Sequence, residues 1–375
     1  MNQSNEPILV TRPFLPSKEE YLQYVDRIWE KDWLTNQGPL HQEFEAALCR
    51  FLNVENVTLT VNGHLALEIA IKGLGLTGEV ITTPFTFAST VHAISLNGLK
   101  PVFCDVKMSD LTIDEEQLES LITERTSAIM PVHVYGHVCN TRRIEEIAKK
   151  HGLRVIYDAA HTFGIRKDGR SIGLFGDVSM FSFHATKLFH TIEGGALVYR
   201  DSSLRQRFND YKNFGIHDEE HVEYVGGNAK MNEFQAAMGL SNLPHVPQLI
   251  EERRRITLRY RENLEGVPGV RYFTPDEEPG VEYNYAYLPV LIDEATFGMS
   301  RDALHAELKK NGVVARKYFY PIATEYGCYR EAYADAKVPN ALRASREVLT
   351  LPIYNGLQTE TVDFICAKIR ELAGG

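Results

Sequence analysis

Between about residue 54 and residue 200, short runs rich in β-branched and aromatic residues alternate with stretches of helical spacing. VENVTLTV reads as a strand, and GHLALEIAIKGLG after it as a helix that closes on glycine. EVITT, PVFCDV, SAIMPVHVYG, LRVIYD, DVSMFSF and GALVYR read as further strands. FASTVHAISLNG, DEEQLESLI and NTRRIEEIAKKHG read as helices between them, the last with an asparagine cap and a glycine stop. Strands separated by short helices form crossover units, and a series of such units builds a mainly parallel sheet. A sheet of that kind places ligands at the carboxyl ends of its strands. Chemistry is therefore expected in the residues directly after each strand.

A long polar helix, VPQLIEERRRITLRYRENLEG, follows and predicts a connector. Beyond it, a strand near YNYAYLPVLI and helices at SRDALHAELKKNG and TVDFICAKIRELAGG predict a smaller α+β domain. The expected division is a large α/β domain at 1–245, with the N-terminal segment, and the connector plus small domain at 246–375. With 375 residues the chain is long enough for two cores. A net charge of −10 argues against a nucleic-acid partner, because phosphate backbones need a basic surface. No apolar run reaches the ~20 residues of a membrane-spanning helix. The start, MNQSNEPILVTRPFLPS, lacks the basic-then-apolar pattern of a secretion signal, which predicts a cytoplasmic protein. The five cysteines are scattered with no CxxC pair, so free thiols are expected, with neither a zinc site nor a disulfide framework.

Four strand ends carry candidate chemistry. After the first, Asn62-Gly63-His64 opens a helix whose free N–H groups and dipole suit an anion such as phosphate; it also reads as an ordinary helix start. After the second comes Thr83-Pro84-Phe85-Thr86-Phe87, where an aromatic could stack on a flat ligand or belong to the core. LRVIYD ends in Asp158, a carboxylate costly to bury unpaired, suited to a structural arginine or to a cationic ring nitrogen. DVSMFSF contains Ser182, with His184 and Lys187 just beyond. A lysine there is a surface charge or a nucleophilic amine. Taken together, the anion-binding helix start, the aromatic, the carboxylate, the serine and the lysine match the needs of pyridoxal 5′-phosphate: donors for its phosphate, stacking for its ring, an acid for its nitrogen and an amine for its aldehyde.

At these residues the sequence resembles the DegT/DnrJ/EryC1/StrS family of sugar aminotransferases. The resemblance runs through WLTNQGPLHQEFE, NGHLALEIAIKGLGL, EVITTPFTFASTVHAISLNGLKPVFCDV and PVHVYGH. It continues in VIYDAAHTFG, FSFHATKLFHTIEGGALV, NAKMNEFQAAMGL, RKYFYP and LPIYNGL, so it covers nearly the whole chain. It implies a fold type I, aspartate aminotransferase-like architecture. It also implies that Lys187 bonds the cofactor's aldehyde and later moves the proton, while Asp158 pairs with the ring nitrogen. Phe87 would stack on the ring, His161 would lie near its 3-hydroxyl, and Gly63, His64 and Ser182 would hold the phosphate. Asn228 would reach the phosphate from a second subunit, which implies a homodimer with a shared active site. Two departures stand out: Asn62-Gly63-His64 where many relatives have Ser-Gly-Thr, and Asn228-Ala229-Lys230 where many have Asn-x-Arg.

The histidine three residues before the lysine, His184, resembles the branch that aminates C-4 of nucleotide-linked keto sugars, and would contact the substrate near the reacting carbon. Within that branch the chain resembles the viosamine-forming enzymes, which convert dTDP-4-keto-6-deoxy-D-glucose to its 4-amino sugar with L-glutamate as donor, releasing 2-oxoglutarate. The alternatives are a UDP-linked 2-acetamido-4-keto sugar and a C-3 keto sugar. A non-enzymatic regulator would need a separate DNA-binding module, for which no residues remain. Arg316-Lys317-Tyr318 reads as an anion site for glutamate or the diphosphate, or as a solvated charge cluster.

Overall fold

A computed structural model describes residues 6–374. Its centre is a seven-stranded sheet. From one edge to the other the strands are Val57–Thr60, Gly195–Tyr199, Val178–Ser182, Arg154–Asp158, Thr126–Met130, Glu79–Thr82 and Lys100–Phe103. The last five run parallel to one another, and Gly195–Tyr199 is antiparallel to both of its neighbours. The sheet is thus mixed and mostly parallel, as the crossover pattern predicts. Every residue of Val57–Thr60, Glu79–Thr82 and Gly195–Tyr199 is buried, as strands covered on both faces require.

Helices Gly63–Gly73, Ala88–Leu96 and Thr141–His151 connect the strands. Thr141–His151 begins and ends as its sequence suggests: the Asn140 side chain accepts from Arg143 N–H, and Gly152 closes the helix at φ 66°. The stretch DEEQLESLI forms only a 3₁₀ turn, Glu115–Gln117, and one helical turn, Leu118–Leu121. In SAIMPVHVYG the regular strand ends at Met130, and beyond Pro131 one further bridge joins Val132 to Asp158.

The long polar helix is Val246–Leu264. Beyond it lies a three-stranded antiparallel sheet of Val270–Tyr272, Leu288–Ile292 and Val348–Leu351, covered by Arg301–Lys310 and Thr359–Leu372. A boundary near residue 245, which we propose, falls at the turn Leu243–His245 that leads into the connector. Ile8 and Leu9, counted above with the large domain, pair in parallel with Val313 and Val314, and Ile8 is buried among residues of the second core. Two helices without a counterpart in the reading above, Lys18–Lys31 and Pro39–Leu52, pack on helix Glu233–Asn242. All five cysteines are free thiols, and only Cys328 is fully exposed. Among the described residues no helix is long and apolar enough to cross a membrane.

Candidate active site

The carboxyl ends of the parallel strands open into a cavity of about 460 Å³. Gly63, His64, Phe87, Asp158, His161, Ser182, His184 and Lys187 all line it, together with Tyr287, Arg316, Tyr318 and Phe319 from the C-terminal part. Asn228 does not line it. That residue is exposed and bridges to Asn213 in the loop before helix Glu233–Asn242.

Asp158 is the last residue of its strand and is only 5% exposed. Its recorded hydrogen-bond partners are neutral: Thr90 hydroxyl donates to Oδ2 at 2.7 Å, and Ala160 N–H donates to Oδ1 at 3.1 Å. Thr90 spends its single proton on the carboxylate, so the 2.8 Å contact between Thr86 and Thr90 must have Thr86 as donor. Burial raises the Asp158 carboxyl above the ordinary carboxylate range, against the lowering effect of Thr90, Ala160 and the Lys187 charge. A buried carboxylate held only by neutral donors retains lone pairs for a cation, and a protonated ring nitrogen fits that role.

His161 Nδ1 accepts from Tyr135 N–H at 2.8 Å, so the ring proton sits on Nε2. Burial, then the charge of Lys187, holds this imidazole well below its usual pKa. His161 is thus a neutral donor fixed in one tautomer, as a phenolic oxygen on a bound ring requires. Phe87 is 59% exposed in the cavity, whereas Phe85 is 0% exposed, so the core role weighed for an aromatic here belongs to Phe85.

One end of the cavity offers backbone N–H groups to an anion. Asn62 caps helix Gly63–Gly73, its side chain accepting from Leu65 N–H at 2.8 Å. Gly63 and His64 occupy the first turn, where N–H groups have no intrahelical partner. The His64 imidazole pairs with Glu68 at 3.2 Å. One imidazole nitrogen is thereby engaged within its own helix while Nδ1 is buried without a hydrogen-bond partner, and the backbone N–H of the first turn suits an anion. The Gly194-Gly195 pair has a steric reason: a Cβ on Gly195 would stand 2.7 Å from the Asn62 carbonyl and 2.8 Å from Gly63 N. Only glycine lets the neighbouring strand pass this close to the helix start.

Lys187 lies in the turn after Val178–Ser182, its backbone N–H donating to His184 O at 2.9 Å. The Nζ donates to Tyr287 hydroxyl at 3.1 Å. His184 Nδ1 accepts from Thr186 N–H at 3.2 Å, so Nε2 carries the proton toward Glu193, 3.5 Å away at the cavity wall. Of the basic pair at the rim, Lys317 is held by Asp302 at 2.6 Å, whereas Arg316 lines the cavity. Thr86, Thr90, Glu193 and Tyr287 were not among the residues expected from sequence. A signal existed for the threonines: two hydroxyls four apart at a helix start face the same side.

A model of the DegT/DnrJ/EryC1/StrS aminotransferase family matches residues 16–370. The chain belongs to this family. It is 42% identical over 367 residues to the dTDP-4-amino-4,6-dideoxy-D-glucose transaminase of Shigella dysenteriae, covering 98% of this chain and 99% of that one. It is 33% identical to the GDP-perosamine synthase of Escherichia coli O157:H7, over 97% of this chain and 98% of the relative. Among solved structures, DesI in the presence of its TDP-sugar product superposes with a TM-score of 0.94 at 38% identity, covering 98% of this chain and 93% of DesI. Helicobacter pylori PseC, an aminotransferase of pseudoaminic acid biosynthesis, superposes with a TM-score of 0.91 at 28% identity, covering 98% and 99%. The aminotransferase family and the fold class inferred from the motifs stand on these likenesses.

Proposed function

We propose that the chain is a pyridoxal-phosphate-dependent aminotransferase that moves the amino group of L-glutamate to C-4 of dTDP-4-keto-6-deoxy-D-glucose, forming dTDP-4-amino-4,6-dideoxy-D-glucose. The observation that carries the choice of sugar is the 42% identity, end to end, with a transaminase named for that product. At 33% and 28%, the likenesses to enzymes named for other amino sugars are weaker.

Pyridoxal phosphate, when bound, supplies an aldehyde that condenses with amines and a cationic ring that takes up electrons as a C–H bond breaks. Around it, each residue has a separate task. The N–H groups of Gly63 and His64, with the Ser182 hydroxyl, hold the phosphate at the helix start. Phe87 covers the ring face. Asp158, oriented by Thr90 and Ala160, keeps the ring nitrogen protonated. The Nε2–H of His161 donates to the 3-oxygen. Lys187 would hold the cofactor through its aldehyde, and once glutamate takes its place there the freed amine would take up the α-proton and return it. His184, whose Nε2–H points toward Glu193 at the cavity wall, lines the cavity near Lys187 as a contact for the keto sugar. Arg316 stands at the rim for a carboxylate or diphosphate, since Lys317 is neutralised by Asp302.

Asn228 completes the site of a second copy. Exposed in the segment that leads to it are Phe214 at 50%, Val222 at 68% and Val225 at 90%, apolar area that a partner subunit would cover. Lys230 donates to Asn213 Oδ1 at 2.8 Å and lies 4.6 Å from the Phe214 ring centroid, so it braces this loop. Mixing an inactive Lys187 variant with an inactive Asn228 variant should restore activity, because a hybrid dimer regains one complete site. A verified hybrid with no activity contradicts the shared site. The reaction itself is tested by the amino sugar's appearance by mass spectrometry from glutamate and the dTDP-keto sugar; no product from that pair sinks the assignment.

A further inference from the structure

We propose that Tyr287 is a catalytic residue of this reaction: its hydroxyl holds the free amine of Lys187 and aims it into the cavity. The inference rests on the reading of Lys187 as the amine that bonds the cofactor. Lys187 Nζ donates to Tyr287 Oη at 3.1 Å, the one side-chain hydrogen bond of this amine among the described residues. A lysine amine is a compact charge on a flexible stem with three rotatable donors, so alone it has no fixed direction. Fixing one N–H turns the rest of the nitrogen toward the site. A neutral hydroxyl does this without the opposite charge of a carboxylate, which would hold the amine as an ammonium and suppress its nucleophilicity.

The tyrosine is itself fixed. It is 8% exposed, directly precedes strand Leu288–Ile292, and stands 4.4 Å from the His161 ring. The preceding residue is clamped on both sides: Arg253 Nη1 donates to Ala286 O at 3.1 Å, and Ala286 N–H donates to Asn284 Oδ1 at 3.2 Å. Arg253 is 1% exposed, has no carboxylate partner in the described structure, and binds Asn355 Oδ1 through Nε at 2.9 Å. A buried guanidinium thus ties the connector helix to the backbone that presents Tyr287.

The test compares Tyr287→Phe with the unmodified protein and with Tyr283→Phe. The latter removes another buried hydroxyl, which donates to Tyr135 O at 2.8 Å. Each protein, stripped of cofactor, is mixed with pyridoxal phosphate, and attachment to Lys187 is followed by borohydride reduction and peptide mass. Tyr287→Phe should attach at the same lysine about tenfold more slowly, the effect of a misplaced reacting group. Its half-reaction with glutamate should slow about ten- to a hundredfold with little change in glutamate KM, and the α-deuterium isotope effect should rise as proton transfer becomes limiting. Tyr287→His, which restores an acceptor, should recover part of the rate. Unchanged attachment and isotope effect in folded Tyr287→Phe overturn the proposal, as does an equal loss in Tyr283→Phe. Failure of the unmodified protein to attach pyridoxal phosphate at Lys187 instead overturns the proposed function.

Discussion

Lys187→Ala should abolish transamination, with a rate loss of about 10⁴-fold or more, while the protein folds and binds pyridoxal phosphate without a covalent link. The fold should survive because the Lys187 side chain is only part-buried and has a single hydrogen bond, to Tyr287. The turn that carries it is held by backbone instead, through Lys187 N–H on His184 O and Phe183 N–H on Gly194 O. Asp158 faces the ring nitrogen in this reading and His161 has its Nδ1 occupied by Tyr135 N–H, so neither replaces the lysine in proton transfer. The check is product formation under single turnover, with circular dichroism to confirm the fold. Full activity in that variant would remove Lys187 from the chemistry.

Asp158→Asn should slow both half-reactions by about 10²- to 10³-fold, the usual scale for removing one preorganised electrostatic partner from a reacting centre. The new side chain keeps the volume but has one carbonyl where the carboxylate had two oxygens. Thr90 hydroxyl and Ala160 N–H now satisfy both oxygens, so the amide must either lose one donor or turn its NH₂ toward one. In either case it offers the ring nitrogen no negative charge, and the ring loses its hold on the electrons released when the C–H bond breaks. Stopped-flow measurement of each half-reaction separates this effect from substrate binding. Unchanged rates would mean that another group holds the ring nitrogen.

Asp158 and Lys187 could be read from sequence for one physical reason. A parallel sheet brings the ends of successive strands together, so a carboxylate after LRVIYD and a lysine after DVSMFSF share a site without any knowledge of side-chain contacts. Tyr287 and Thr90 could not be found that way. The first meets Lys187 across 100 residues of chain and the second meets Asp158 across 68, and the Thr86–Thr90 spacing marks a shared face but not the carboxylate it serves. Tyr287 also ends a run of tyrosines at every second position, Tyr283, Tyr285 and Tyr287, which looks like one buried face of a strand. In the structure the strand begins only at Leu288, after the last of these tyrosines.

The second sheet was similarly obscure. Val348–Leu351 is four residues long and wholly buried, so it carries no alternation by which to recognise it. Helix Lys18–Lys31, by contrast, had a signal: Ser17 accepts from Glu20 N–H, and the Glu20 side chain accepts from Ser17 N–H, the pattern of a Ser-x-x-Glu capping box. The structure places Asn228 outside the cavity, and in the proposed dimer the site it would serve lies on another copy of the chain.

One absorption experiment tests the role of Lys187 and the choice of keto sugar together. Purified protein supplied with pyridoxal phosphate should show the visible band of the lysine-bound cofactor, and L-glutamate should bleach it. Addition of dTDP-4-keto-6-deoxy-D-glucose should bring the band back, because the amino group has left for the sugar. A band that bleaches and does not return would contradict the choice of keto sugar, and a protein that never shows the band would contradict the role of Lys187 on which the whole account depends.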